Sequence, residues 1–160
     1  MKAEFVIPFV DAAIFVGEQV TEIKPVRGTL SILDELVTSE PINHVFSISG
    51  DLEGIALLAF SRDCAMKFAS KSAGKELMVF DQSVSEIIVG IADQISSRFV
   101  SSLAKQGETI MVKESALIRG MYIPIPTFGS PVLEVQIEFK GFGLIKVIVS
   151  VRKRDVSLAA

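Results

Sequence analysis

The 160-residue sequence has one cysteine, one histidine, one tyrosine and no tryptophan. A lone Cys64 rules out an internal disulfide, and its setting, "RDCAMKF", puts no histidine within helical reach. A buried structural thiol in a reducing compartment is therefore expected, not a nucleophile. His44 has no second histidine or cysteine with which to share a metal, which excludes a zinc site and a Ser-His-Asp triad. It precedes an apolar run and is expected as a satisfied or exposed structural histidine. No dinucleotide-binding glycine pattern, P-loop or EF-hand occurs. "SGDLEG" lacks both the lysine of a P-loop and the alternating carboxylates of a calcium loop, so a hairpin turn explains it better.

Positive charge is scarce as well. Sixteen Lys and Arg against nineteen Asp and Glu leave a net charge of −3 and a pI near 5.2, which argues against a nucleic-acid partner because phosphate backbones require clustered cations. The one basic cluster, "VRKR", reads as a solvated strand end. No run approaches the roughly 20 apolar residues of a membrane span. The opening "MKAEFVIPFVDAAIFVGEQV" is interrupted by Glu4, Pro8 and Asp11 and lacks a small-residue cleavage site, so it reads as an amphipathic helix and not a secretion signal. Neither membrane nor nucleic acid is expected as a partner, and the cytoplasm is the expected location.

What the sequence does have is core. It is 49% hydrophobic with eleven phenylalanines, and a chain of this length buries roughly 70% of its unfolded surface. A single domain over 1–160 is expected, with "SLAA" at the end as a disordered tail. Pro8 suits a first helical turn, and the helix continues to about Val20. Ile23 to Leu33, with Pro25 and Gly28, suggests short extended pieces. Val45 to Phe60 reads as a hairpin with an apolar, deeply buried second arm. Ser61 is placed to cap a helix with Asp63 in its first turn and Gly74 as its stop.

A long helix follows from Ser83 to Gly107. Val84, Ile87, Ile88, Ile91, Ile95, Phe99 and Leu103 share one side, which leaves Glu86, Gly90, Asp93 and Ser97 in line on the other. Gly90 is unexpected there, because glycine inside an exposed helix costs about 1 kcal/mol against alanine. Close approach by another group, relaxed selection or chance would each account for it.

Beyond this helix, Thr109 to Val112 reads as a strand and "MYIPIPTFGSP" as a loop or sheet edge. "VLEVQIEFK" alternates as a strand with one wet face, and "GLIKVIVSV" is apolar enough for an inner or interface strand. The fold class is α+β: an extended, mostly antiparallel sheet packed by two long helices and a shorter one.

The order of these pieces is informative. "VFSISGDLEGIALLAFSRDCAMKFASKSAGKE" followed by "DQSVSEIIVGIADQISSRFVSSLAKQG" resembles the chemotaxis phosphatase CheX and its CheC-like relatives over most of the chain, as do the opening "IPFVDAAIFV" and "SALIRG". The resemblance implies a partner, the receiver domain of a CheY-type response regulator, whose aspartyl phosphate the family hydrolyses with a Gly-Glu-x-x-Asn motif on the long helix. Ungapped alignment puts Gly90 in place of the Glu and Asp93 in place of the Asn.

An amide accepts a proton from the attacking water and donates to a phosphoryl oxygen, whereas a carboxylate cannot donate. Asp93 is the first catalytic candidate. Gln94 has the right amide but points about 100° away, and Glu86 lies one turn early, about 6 Å displaced along the axis.

The expected function is therefore binding of a phosphorylated receiver domain through Glu86, Gly90, Asp93, Gln94 and Ser97, with phosphatase activity weak or lost. Two alternatives stay open: an active aspartyl-phosphate phosphatase, and a non-enzymatic scaffold dimer. No cofactor of the chain's own is expected, and a magnesium ion would come from the receiver domain. The family's sheet-to-sheet dimers imply a homodimer with residues between Val132 and Val151 in its interface.

Overall fold

The computed structural model describes residues 3–154, so the terminal "SLAA" lies outside the described residues. A short 3-10 turn, Ala3–Phe5, leads into α1 (Ile7–Thr21). There follow β1 (Val26–Leu33), β2 (Ile42–Gly50), β3 (Leu52–Phe60), α2 (Arg62–Ala73), α3 (Gln82–Lys105), β4 (Ile110–Arg119), β5 (Val132–Phe139) and β6 (Gly143–Lys153). The strands form one sheet of order β1-β5-β6-β3-β2-β4. Every neighbouring pair is antiparallel. The architecture is α+β, as the sequence pattern predicts.

Local signals set the helix ends. The Ser61 hydroxyl accepts from the Cys64 amide at 3.0 Å, and Gly74 closes α2 in the left-handed conformation at φ 70°. α3 begins one residue earlier than the apolar pattern suggests, because Asp81 caps it by accepting from the Val84 amide at 3.1 Å. The "SGDLEG" turn is a structural device. Asp51 accepts from the Thr109 amide at 2.6 Å, tying the β2–β3 corner to the start of β4. Gly54 is required because a Cβ there would lie 2.1 Å from the Ser150 carbonyl oxygen of β6.

All three helices pack on one face of the sheet. An aromatic chain joins the layers: Phe9 of α1 meets Phe99 of α3 edge-on at 4.9 Å and Phe46 of β2 at 5.8 Å. The opposite face carries a smaller core of Leu36, Leu57, Ile125, Val132 and Ile148. The β1–β2 connection and the proline-rich 120–131 segment cover it, stitched by the Ile125 amide on the Leu36 carbonyl at 2.8 Å and the Thr38 amide on the Ile123 carbonyl at 3.0 Å.

Three sequence expectations change. β4 does not stop near Val112; it runs to Arg119 and takes in "SALIR", because β2 offers partners along its whole length. β6 is the inner strand of its two alternatives, paired on both sides by β5 and β3. The Val132 to Val151 stretch therefore has no free backbone edge through which two sheets could join, and the free edges are β1 and β4. His44 is neither satisfied nor exposed. It lies inside β2 at 1% exposure, and neither ring nitrogen has a hydrogen-bond partner among the described residues. Cys64, by contrast, is buried as expected, and burial, with Asp63 and Glu40 nearby, pushes its thiol up to about 12.

Candidate functional site

α3 lies across the sheet with its apolar side down. Val84, Ile88, Ile91, Ile95, Phe99 and Leu103 are buried, and Ile87 is half-buried. Glu86, Asp93, Gln94 and Ser97 are exposed, with Gly90 half-exposed between them. At 1.5 Å per residue this ridge runs roughly 16 Å. No close neighbour explains Gly90, since a Cβ added there would meet nothing within 4 Å. Close approach by another part of the described chain is thereby removed as an explanation for this glycine.

The structure divides the candidate residues between two grooves. Glu86 lines one beside β4, with Gln82, Val89, Leu117 and Arg119. Asp93, Gln94 and Ser97 line another on the α1 side, a polar groove of about 520 Å³ that also takes in Phe15, Gln19 and Arg98. An acid at Glu86 and an amide at Gln94 thus open to different grooves of one helix and do not converge on a single atom.

Two residues near the ridge were not found from sequence. His44 lies on the helix-covered side of β2, its ring 4.7 Å from that of Phe46. Burial lowers its pKa, while the Asp93 carboxylate above raises it. Arg98 stacks on Phe15, its guanidinium carbon 3.3 Å from the ring centroid. Among the described residues no three His, Cys, Asp or Glu side chains gather where they could share a metal ion. No helix among them is long and apolar enough to cross a membrane.

No protein-family model matches the sequence, and no curated protein does. Solved structures do match. CheX from Desulfovibrio desulfuricans superposes with a TM-score of 0.82 at 21% identity, covering 94% of this chain and 99% of that one. The fold is that of the CheC-like chemotaxis proteins. CheX from Vibrio vulnificus gives 0.83 at 14% identity, over 94% of this chain and 100% of its own. A CheX from Borrelia burgdorferi, solved in complex with CheY, BeF3 and Mg2+, gives 0.79 at 22% identity, over 95% of this chain and 100% of the other. Within this CheC-like fold, α3 is the longest helix, and its outer ridge is its unpacked side.

Proposed function

We propose that this chain binds the phosphorylated receiver domain of a CheY-type response regulator through the outer ridge of α3, with hydrolysis of the aspartyl phosphate weak or lost. The observation that carries the proposal is a solvent-facing polar ridge without a packing role, on a fold whose Borrelia burgdorferi counterpart was solved with CheY.

The chemistry of the ridge supports binding over catalysis. Gly90 supplies no side chain, and the Asp93 carboxylate cannot donate to a phosphoryl oxygen. Two unit charges at 4 Å repel by about 1 to 4 kcal/mol at effective dielectrics of 80 to 20, so Asp93 also opposes each charge of a dianionic phosphoryl group. A magnesium ion held by the receiver domain would offset this, and the chain needs no metal of its own.

Phosphate release from a receiver domain charged with acetyl phosphate, with and without this protein, tests the proposal. Binding of the charged receiver with little change in release is the expected result. Strong acceleration would instead favour an active phosphatase built on Asp93 or Gln94 with Glu86, and an absence of binding would leave a non-enzymatic scaffold.

A homodimer belongs to the same proposal, with its interface moved to the β1 edge. Val26, Leu30 and Ile32 are exposed there at 68%, 47% and 74%, beside unpaired backbone groups that favour addition of another strand. Light scattering should return twice the protomer mass of 17.3 kDa; a monomer mass at micromolar concentration would contradict it.

A further inference from the structure

The α1–α3 groove differs in charge from the rest of the molecule. The chain carries a net −3, yet the groove holds two cations, Arg98 and Lys105, against the single carboxylate of Asp93. Lys105 has an ordinary explanation, since it sits in the last turn of α3 where the helix dipole favours a cation. Arg98 is seven residues from that end and has no such explanation.

Six of the cations among the described residues have carboxylate partners: Arg27 with Asp11, Lys67 with Asp63, Lys71 with Glu22, Lys146 with Glu40, Arg152 with Glu53 and Lys153 with Glu108. Among the described residues, Arg98 has neither an ion-pair nor a hydrogen-bond partner. It is nevertheless held, because its guanidinium carbon sits over the Phe15 ring, 3.3 Å from the centroid. Stacking on an aromatic face restricts the guanidinium while leaving the N–H groups at its rim free, so an incoming anion meets an arginine that has already lost much of its rotamer freedom.

The neighbours of Arg98 are donors. At 100° per residue, Gln94, Ser97, Arg98, Ser101 and Lys105 fall within a stripe about 100° wide on α3, and all of them line this groove. Together they offer an amide, two hydroxyls and two cations. A tetrahedral, multiply charged oxyanion uses such a set more fully than a carboxylate does, because its oxygens point in several directions and each charge-assisted bond is worth about twice a neutral one.

We propose that this groove is a binding site for a phosphoryl group, with Arg98 as its main ligand and Phe15 as the residue that positions Arg98. The site rests on the receiver-domain reading above, the phosphoryl group being that of the receiver's phosphoaspartate. It places the phosphoryl group on the α1 side of the ridge, where Asp93 and Gln94 line the groove. Asp93 stays at the rim of the groove, where Arg98 offsets part of its repulsion.

The test measures dissociation constants of the full chain for a receiver domain loaded either with Mg2+ and BeF3, a stand-in for the phosphoryl group, or with Mg2+ alone. Wild-type protein should prefer the BeF3 form, and Arg98→Ala should cut that preference by about tenfold or more, leaving affinity for the Mg2+ form unchanged. Arg98→Lys keeps the charge without the planar fork and should recover only part of the preference. Phe15→Leu keeps apolar bulk without the ring and should lose a smaller share. If Arg98→Ala keeps the wild-type preference, or weakens both forms equally, the phosphoryl site is overturned while receiver binding stands. If wild-type protein binds neither form, both are overturned.

Discussion

The two sides of α3 are made of one helix and answer to different demands. On the inner side, Val84, Ile88, Ala92, Ile95, Phe99 and Leu103 are fully buried, and Phe99 is wedged against Phe9 of α1. Each is fixed by neighbours from other elements. On the outer side, Gly90 has open space around the position of its missing Cβ, and nothing in the fold requires Asp93, Gln94 or Ser97. The inner side explains why this chain folds as it does. The outer side is free to be shaped by a partner.

The contrast can be broken most sharply from within. Phe99→Ala removes a fully buried ring and should cost about 3–5 kcal/mol in denaturant unfolding; a loss below about 1 kcal/mol would mean that α3 is not held as described. His44 should give the next largest effect, with the opposite sign. A buried imidazole with no hydrogen-bond partner among the described residues carries a desolvation penalty, so His44→Phe should stabilise the protein at neutral pH by about 1–2 kcal/mol.

The same residue sets an acid limb. Burial lowers its pKa in the folded protein, while the unfolded chain takes up a proton near 6.5. As pH falls through that value the unfolded state binds more protons than the folded one, and stability declines until the folded pKa is reached. His44→Phe should flatten this limb. Asp93→Asn should steepen it, because the carboxylate is what raises the His44 pKa.

Outer-side changes should be smaller. Gly90→Ala should stabilise by about 1 kcal/mol through helix propensity alone, since no atom stands in the way. Ser97→Ala should move stability by less than about 0.5 kcal/mol. A large loss from either would show that the ridge is packed against something the fold requires.

Much of this was legible in the sequence because the signals are local. The seven apolar positions from Val84 to Leu103 define the inner side by spacing, Ser61 and Gly74 mark the ends of α2, and the alternation of Leu133, Val135, Ile137 and Phe139 places β5. What was missed depends on which elements become neighbours. An apolar strand such as β6 reads the same whether its partner lies in the same chain or in another copy. His44 sits in a row with Ile42, Phe46 and Ile48, and nothing in "INHVFSI" says that α3 will cover it. Arg98 meets Phe15 across 83 positions of sequence, a contact set by helix packing that no local pattern reports.

The account turns on the outer side of α3 being a receiver-docking ridge that has lost its hydrolytic pair, and one measurement tests this most directly. Phosphate release from an acetyl-phosphate-charged receiver domain should be compared for wild-type protein and the Gly90→Glu, Asp93→Asn double variant, whose new Cβ at position 90 meets nothing within 4 Å. The account predicts that the double variant accelerates release over wild type by on the order of 10-fold to 100-fold, the range of a positioned proton-transfer or water-orienting group. Release no faster than with wild-type protein, from a double variant that is folded, would contradict it.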